Sequence, residues 1–389
     1  MRQLRWLLGS FTGIGAMALL AWSPAREILH LPKNPRTSQL EPYPFIYPAA
    51  FGNRFTIPDN NPLTKQGVYL GRLLFYETRL SSTNKISCGS CHQQHRAFTD
   101  GLPFSTGVSG RPTRRNSMSL ANLLWVRNFF WDGRARSLED QALIPLSHPD
   151  EMGQPAVVAA RKLQQMALYP PLFKQVFGSD IITPERMIRA IAQFERTLIS
   201  ANSPYDAYLR GQYVLSEAES RGLKLFTTAP AMERQVRGGN CAHCHGGPKL
   251  YQEVFHNNGL DRIPKDPGRR EITGMEQDQG RFRVPTLRNI TLTAPYMHDG
   301  RFASLEEVLD HYSDHIQASS TLSPELMPTD VSRNQMTPQE KQDLIAFLHL
   351  FTDQGFITNP AFSDPHLTHL STQKSSLPPQ KSQSSPRTP

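Results

Sequence analysis

Cys88-Gly89-Ser90-Cys91-His92 and Cys241-Ala242-His243-Cys244-His245 contain all 4 cysteines of the chain. In each run two thiols flank two residues, and a histidine follows directly. That is the attachment pattern of c-type haem, with the thiols reaching the two vinyl groups of one porphyrin and the histidine lying beneath the iron. A zinc site would accept cysteine and histidine, but it does not explain a histidine at the same place in both runs. A redox dithiol reading meets the objection that a disulfide between such close neighbours is strained. Two covalently bound haem c groups are therefore expected.

Working outward, the surroundings of the two runs repeat. Gly71-Arg72-Leu73-Leu74-Phe75 precedes the first and Gly222-Leu223-Lys224-Leu225-Phe226 the second, with apolar spacing that suits the inner face of a helix. Downstream, Trp131-Asp132-Gly133-Arg134-Ala135-Arg136-Ser137-Leu138-Glu139 matches His298-Asp299-Gly300-Arg301-Phe302-Ala303-Ser304-Leu305-Glu306 in register. Ser137 and Ser304 start helices. Ser216 with Glu219, Ser304 with Glu307 and Thr337 with Glu340 are expected capping boxes, the last opening a final helix from Pro338 to Phe351. Strand-like alternation is scarce. The expected fold is mainly α, two cytochrome c-like haem domains related by internal duplication, at 46–205 and 206–358.

The two copies differ where a ligand could reach iron. Fourteen residues after His298 comes Tyr312, and fourteen after Trp131 comes Pro145, which has no group that binds iron. The second haem is thus expected to have a sixth ligand and the first an open face, the face on which peroxide could bind.

The 389 residues include 32 prolines, so long loops and interrupted helices are expected. The net charge of +8 is spread without a Lys/Arg run, and no nucleic-acid-binding module is visible. Arg2 and Arg5 precede an uncharged apolar stretch from Trp6 to Trp22, followed by Ser23-Pro24-Ala25. Residues 1–25 read as an export signal or an N-terminal membrane anchor, and the protein is placed in the periplasm. Residues 26–45 read as a linker, and 359–389 as a disordered Pro/Ser-rich tail.

The sequence resembles the bacterial diheme cytochrome c peroxidase and MauG family over about Asn61 to Thr352. The resemblance is carried by Ile86-Ser87-Cys88, Arg115-Asn116-Ser117, Phe130-Trp131-Asp132-Gly133-Arg134 and Leu292-Thr293-Ala294-Pro295-Tyr296. It implies a peroxide-reducing enzyme whose first haem is the peroxide site and whose second handles electrons. Carried over, His92 and His245 are the proximal iron ligands and Trp131 the relay between haems. Glu151 is the distal proton shuttle, with Gln141 and Pro145 in the same pocket. Asn116, Thr293 and Pro295 match positions that hold a calcium ion, partly through carbonyl oxygens.

Two departures stand out. Val108, in Phe104-Ser105-Thr106-Gly107-Val108-Ser109-Gly110, occupies the place of the histidine that caps the first haem in ordinary diheme peroxidases. Tyr312 stands where those enzymes have a methionine, as in MauG, and a hard phenolate there should lower the second haem's potential. The partners implied are hydrogen peroxide with either a small periplasmic cytochrome c or cupredoxin as donor, or a protein substrate oxidised as MauG does. A third reading is a non-catalytic electron carrier. The rival residues are His148 for Glu151, His311 for Tyr312, and plain core packing for Trp131. His298 reads as a residue behind the ligands, and His95, His243, His256 and His315 as structural or exposed.

Overall fold

The computed structural model describes residues 40–230, 236–326 and 335–367. The signal or anchor at 1–25, linker residues 26–39 and tail residues 368–389 lie outside the described residues.

The first half begins with α1 (Lys65–Phe75), which leads into a single turn carrying the first thiols, α2 (Cys88–Cys91). It continues through α3 (Leu138–Ser147), α4 (Ala156–Gln164), α5 (Tyr169–Phe177) and α6 (Pro184–Arg196). α7 (Pro204–Leu209) passes to the second half, made of α8 (Glu217–Thr227), α9 (Cys241–His245), α10 (Arg270–Thr273) and α11 (Leu305–Asp310). A π-helical turn, His311–His315, extends α11, and α12 (Pro338–His349) and α13 (Gln354–Thr358) follow. The one sheet among the described residues pairs β1 (Phe255–His256) with β2 (Phe282–Arg283), antiparallel. The mainly helical expectation holds.

Helix starts follow the capping chemistry. Ser137 accepts from the Asp140 amide, and the Ser216–Glu219 and Thr337–Glu340 boxes close in both directions. The Ser304 box closes only halfway. Ser304 Oγ accepts from Glu307 N, but the Glu307 carboxylate turns outward to Ala303 N at 2.6 Å.

Each half is built on one crossed helix pair. α1 packs along α6 and α8 along α12, and a glycine sits at each crossing. A Cβ on Gly71 would lie 1.8 Å from the Ala190 carbonyl oxygen, and one on Gly222 2.1 Å from that of Asp343. Only a missing side chain lets these backbones approach so closely. The loops also match. Asn122 and Asn289 both take left-handed backbone and start a 3-10 turn, and their Oδ1 atoms accept from Ser200 N and Asp353 N. Phe129 bridges Ala135 as Tyr296 bridges Phe302, around Gly133 and Gly300, both at positive φ.

The expected outer boundaries move. The line drawn at 205/206 cuts α7, whose Tyr205 packs edge-on against Phe347 and Phe351 and whose Asp206 forms a buried pair with Arg288. Residues 40–45 are held as well: Tyr43 N donates to Leu63 O, and Tyr43 and Phe45 pack on the core. The tail expected from Asn359 is ordered through residue 367 and returns to the first half. Phe362 is buried, Tyr76 OH donates to its carbonyl at 2.6 Å, and Arg72 Nε donates to Ser363 O at 2.6 Å. Composition suggested disorder, but one phenylalanine and a few main-chain carbonyls are enough to hold nine residues against a preformed groove.

Candidate haem and peroxide site

His92 and His245 follow their cysteine turns directly, so their rings are aimed by very short stretches of chain. His92 Nδ1 lies 2.8 Å from Phe98 O, and His245 Nδ1 lies 3.1 Å from Pro285 O. A carbonyl can only accept, so Nδ1 carries the proton in both rings and the Nε2 lone pair is left for a metal. Burial pushes both imidazoles down, His245 to about 4, which keeps them neutral as iron ligands must be. The four thiols are free, and burial raises all of them, Cys241 to about 12 and Cys91 and Cys244 to about 11. No set of three His, Cys, Asp or Glu side chains suited to a metal ion converges among the described residues, so the zinc reading lacks its remaining ligands. The two runs are built as neutral thiols beside a pre-tautomerised imidazole, which suits covalent haem.

The second run opens onto a cavity also lined by Tyr312, Met297, Trp131 and Phe282. Tyr312 OH accepts from Asn258 Nδ2 at 3.2 Å, while its rival His311 is buried outside the cavity with Nε2 on Asn258 O at 3.0 Å. Tyr312 lies within the π-helical turn, a feature common at functional sites. Burial pushes Tyr312 up to about 12, opposed by the Asn258 hydrogen bond. Asn258 was missed in the sequence, since nothing local marks an asparagine 54 residues from the tyrosine it serves.

On the first run's side, Gln141 and Pro145 lie four residues apart on α3 and share a face. The chain after α3 folds back on it, with Met152 N donating to Pro145 O at 3.1 Å, and this return brings Glu151 alongside. Gln141 Oε1 is buried without a hydrogen-bond partner among the described residues. The Glu151 carboxyl accepts no hydrogen bond among the described residues. Burial raises its pKa, against the pull of His148 and Arg134. The same return is tied to the segment leading into the first haem run, with Ser82 N donating to Met152 O at 2.9 Å. His148 is exposed and its Nδ1 is taken by Asp150 N at 3.2 Å, so the geometry favours Glu151.

Val108 is locked beside this loop. Val108 N donates to Glu151 O at 2.8 Å, and a Cβ on Gly107 would meet Asp150 O at 1.9 Å, so only glycine lets the two loops touch.

Trp131 stands where the halves meet. Its Nε1 donates to Asn116 O at 2.9 Å, and its ring meets Phe282 and His298 edge-on at 6.5 Å each, while those two stack at 3.8 Å. Arg115 backs the group, pairing with Asp132 and Asp266. Asn116, Thr293 and Pro295 line the same junction, and the Asn116 amide nitrogen donates to Leu102 O, leaving Oδ1 free.

These features have counterparts. A family model described as di-haem cytochrome c peroxidase matches residues 65–214. The methylamine utilization protein MauG of Methylorubrum extorquens is 36% identical over 326 residues, which cover 80% of this chain and 87% of that protein. The cytochrome c551 peroxidase of Nitrosomonas europaea is 38% identical over 62% of this chain and 71% of its own length. A solved MauG-like protein associated with microbial copper homeostasis superposes with a TM-score of 0.76 at 37% identity, covering 83% of this chain and 99% of that one. Two Cys-His haem runs, one carboxyl-equipped side and one tyrosine-equipped side thus sit on a shared scaffold, and the chain belongs to the di-haem cytochrome c peroxidase family that includes MauG.

Proposed function

We propose that this chain is a peroxidase-type oxidoreductase that reduces hydrogen peroxide at the first haem and stores or relays electrons at the second. One observation carries the reading: Glu151, raised by burial and accepting no side-chain hydrogen bond among the described residues, lies on a return loop tied both to Val108, which offers no ligand, and to Ser82 in the segment before the first haem run. When bound, the haem iron supplies the electron transfer that cleaves the O–O bond. The chain supplies the protons and the positioning. Peroxide, two electrons and two protons give two waters, and Glu151 takes the proton from one oxygen and returns it to the other. Gln141 Oε1 would accept a hydrogen bond from an O–H of the peroxide. Trp131 offers an aromatic path between the halves, its indole proton held on the Asn116 carbonyl. Asn116 Oδ1 with the carbonyls of Thr293 and Pro295 would hold a calcium ion at the junction. A location outside the cytoplasm, with a small cytochrome c or cupredoxin as donor, fits the haem attachment chemistry and an export signal of the kind that residues 1–25 suggest.

A second reading shares the peroxide step and takes the two electrons from a side chain of a partner protein. Tyr312 in the second cavity favours it, because a phenolate ligand stabilises the oxidised states. So do a relative that is a methylamine utilization protein and a structural neighbour associated with copper homeostasis.

The test is electron paramagnetic resonance of the ferric protein before and after one equivalent of peroxide. A high-spin and a low-spin signal at rest, both lost with peroxide and no reductant, support the open first haem and the two-haem oxidised state. Two low-spin signals untouched by peroxide would remove the peroxide site and leave an electron carrier.

A further inference from the structure

Arg283 is a charged side chain without its counter-charge. It is 5% exposed on β2, and its main chain is pinned at the junction by Arg283 N donating to Trp131 O at 2.7 Å. The guanidinium reaches only neutral groups: Nε lies 3.4 Å from Phe130 O, and Nη2 lies 3.6 Å from Met118 Sδ. It forms no ion pair among the described residues. Burying an unpaired cation costs several kcal/mol, and other buried arginines here avoid that cost. Arg288 pairs with Asp206 through two 2.7 Å contacts, and Arg115 with Asp132 and Asp266.

Two more orphans stand close by. Tyr251 OH is buried without a partner, and so is Glu253 Oε1. The Glu253 charge is felt at Arg283, yet its other oxygen is spent on Arg127 N and Asn128 Nδ2, at 3.2 Å each. Arg283 and Tyr251 line the cavity onto which Cys244 and His245 open, and Met118 lies against the proximal His92 of the first run. A buried cation and an unused phenol donor beside a cavity call for an anionic acceptor, and each haem brings carboxylates.

We propose that Arg283 and Tyr251 form the binding site for a haem carboxylate, set between the two haem runs and against the backbone of Trp131. The site rests on haem attachment and on no assignment of Glu151 or Tyr312. The carboxylate neutralises Arg283 where an unbalanced positive charge would oppose oxidation of the Trp131 ring, so the pair also sets the electrostatics of the relay. Shape and burial place the carboxylate on the second haem, whose cavity Arg283 lines. The first haem is the other source of the same chemistry.

The experiment is a potentiometric titration of both haems in the full, haem-loaded chain, followed by visible and paramagnetic spectra that tell the two apart. In Arg283→Gln one haem potential falls, because a cation that favoured the reduced iron is gone. The haem that shifts carries the bound carboxylate. Arg283→Lys keeps the charge and stays nearer wild type, and Tyr251→Phe gives a smaller fall at the same haem. Arg283→Gln with full haem content and both potentials unchanged would overturn the site. An Arg283→Lys fall as large as that of Arg283→Gln would overturn it too, since packing and not charge would then be responsible. If Arg283→Gln does not hold haem, Tyr251→Phe decides alone: an unmoved potential overturns the proposal.

Discussion

Residues 122–152 and 289–315 use one backbone plan with opposite consequences. Both start with a left-handed asparagine and a 3-10 turn, pass through an Asp-Gly-Arg loop with a cross-bridge and enter a serine-capped helix. In the first, a proline lies inside the last turns of the helix and a return loop brings a lone carboxyl alongside. In the second, a π-helical turn carries a tyrosine that lines the cavity. Along these similar backbones a few differences in side chain and loop give one half a buried carboxyl and the other a tyrosine that lines the cavity. The same holds for the supporting helices: Gly71 on Ala190 and Phe194 parallels Gly222 on Asp343 and Phe347, so Glu195 falls where the other half has Leu348.

The contrast between the halves would collapse first at Glu151. Glu151→Gln is expected to slow peroxide consumption about 10²–10⁴-fold with both ferric spectra intact, measured by rapid mixing. A loss under about tenfold would mean that another group moves the proton. Burial raises this carboxyl, so the wild-type rate should climb with pH through a midpoint above the ordinary glutamate value, roughly 4.3. That limb should vanish in the glutamine variant.

Tyr312→Met should raise the second haem's potential by a few tenths of a volt, within the roughly 0.8 V that axial ligands span, and leave the first haem in place. An unmoved second potential would return His311 to consideration. Gly71→Ala and Gly222→Ala test the helix crossings. Each methyl meets a backbone carbonyl, so each should cost about 1–3 kcal/mol in denaturant unfolding, and strongly unequal costs would show that the two crossings are not mechanically alike.

The smallest effect is expected at Glu195, buried with Oε2 unpartnered and pushed up to about 8 by burial. A carboxyl raised in the folded state contributes most below its unfolded pKa, and that contribution is lost as pH rises through the folded value. Glu195→Gln should therefore be more stable than wild type by on the order of 1 kcal/mol at pH 8 to 9, with the gap closing toward pH 5. Thermal melts across that range check it, and a constant difference would show that Glu195 is not protonated in the fold.

Much of this was legible in the chain because it is local. The cysteine runs, the serine caps and the Asp-Gly-Arg repeat are short patterns whose chemistry is complete within a few residues. They determined two haem attachment runs on a mainly helical scaffold, and two departures, Val108 and Tyr312, carried the expectation that the two sites differ in role. Contacts between distant segments were decided only by the tertiary structure. Asn258 holds Tyr312 with its side-chain amide and His311 with its main-chain carbonyl. The segment from Asn359 folds because α1 and the first haem turn already present Tyr76, Arg72 and Gln94 to its carbonyls. Arg283 is anomalous only once its guanidinium is seen to be buried with no ion pair among the described residues. Sequence spacing carries local capping and covalent attachment, but whether a buried charge has a partner depends on chain segments far apart in sequence.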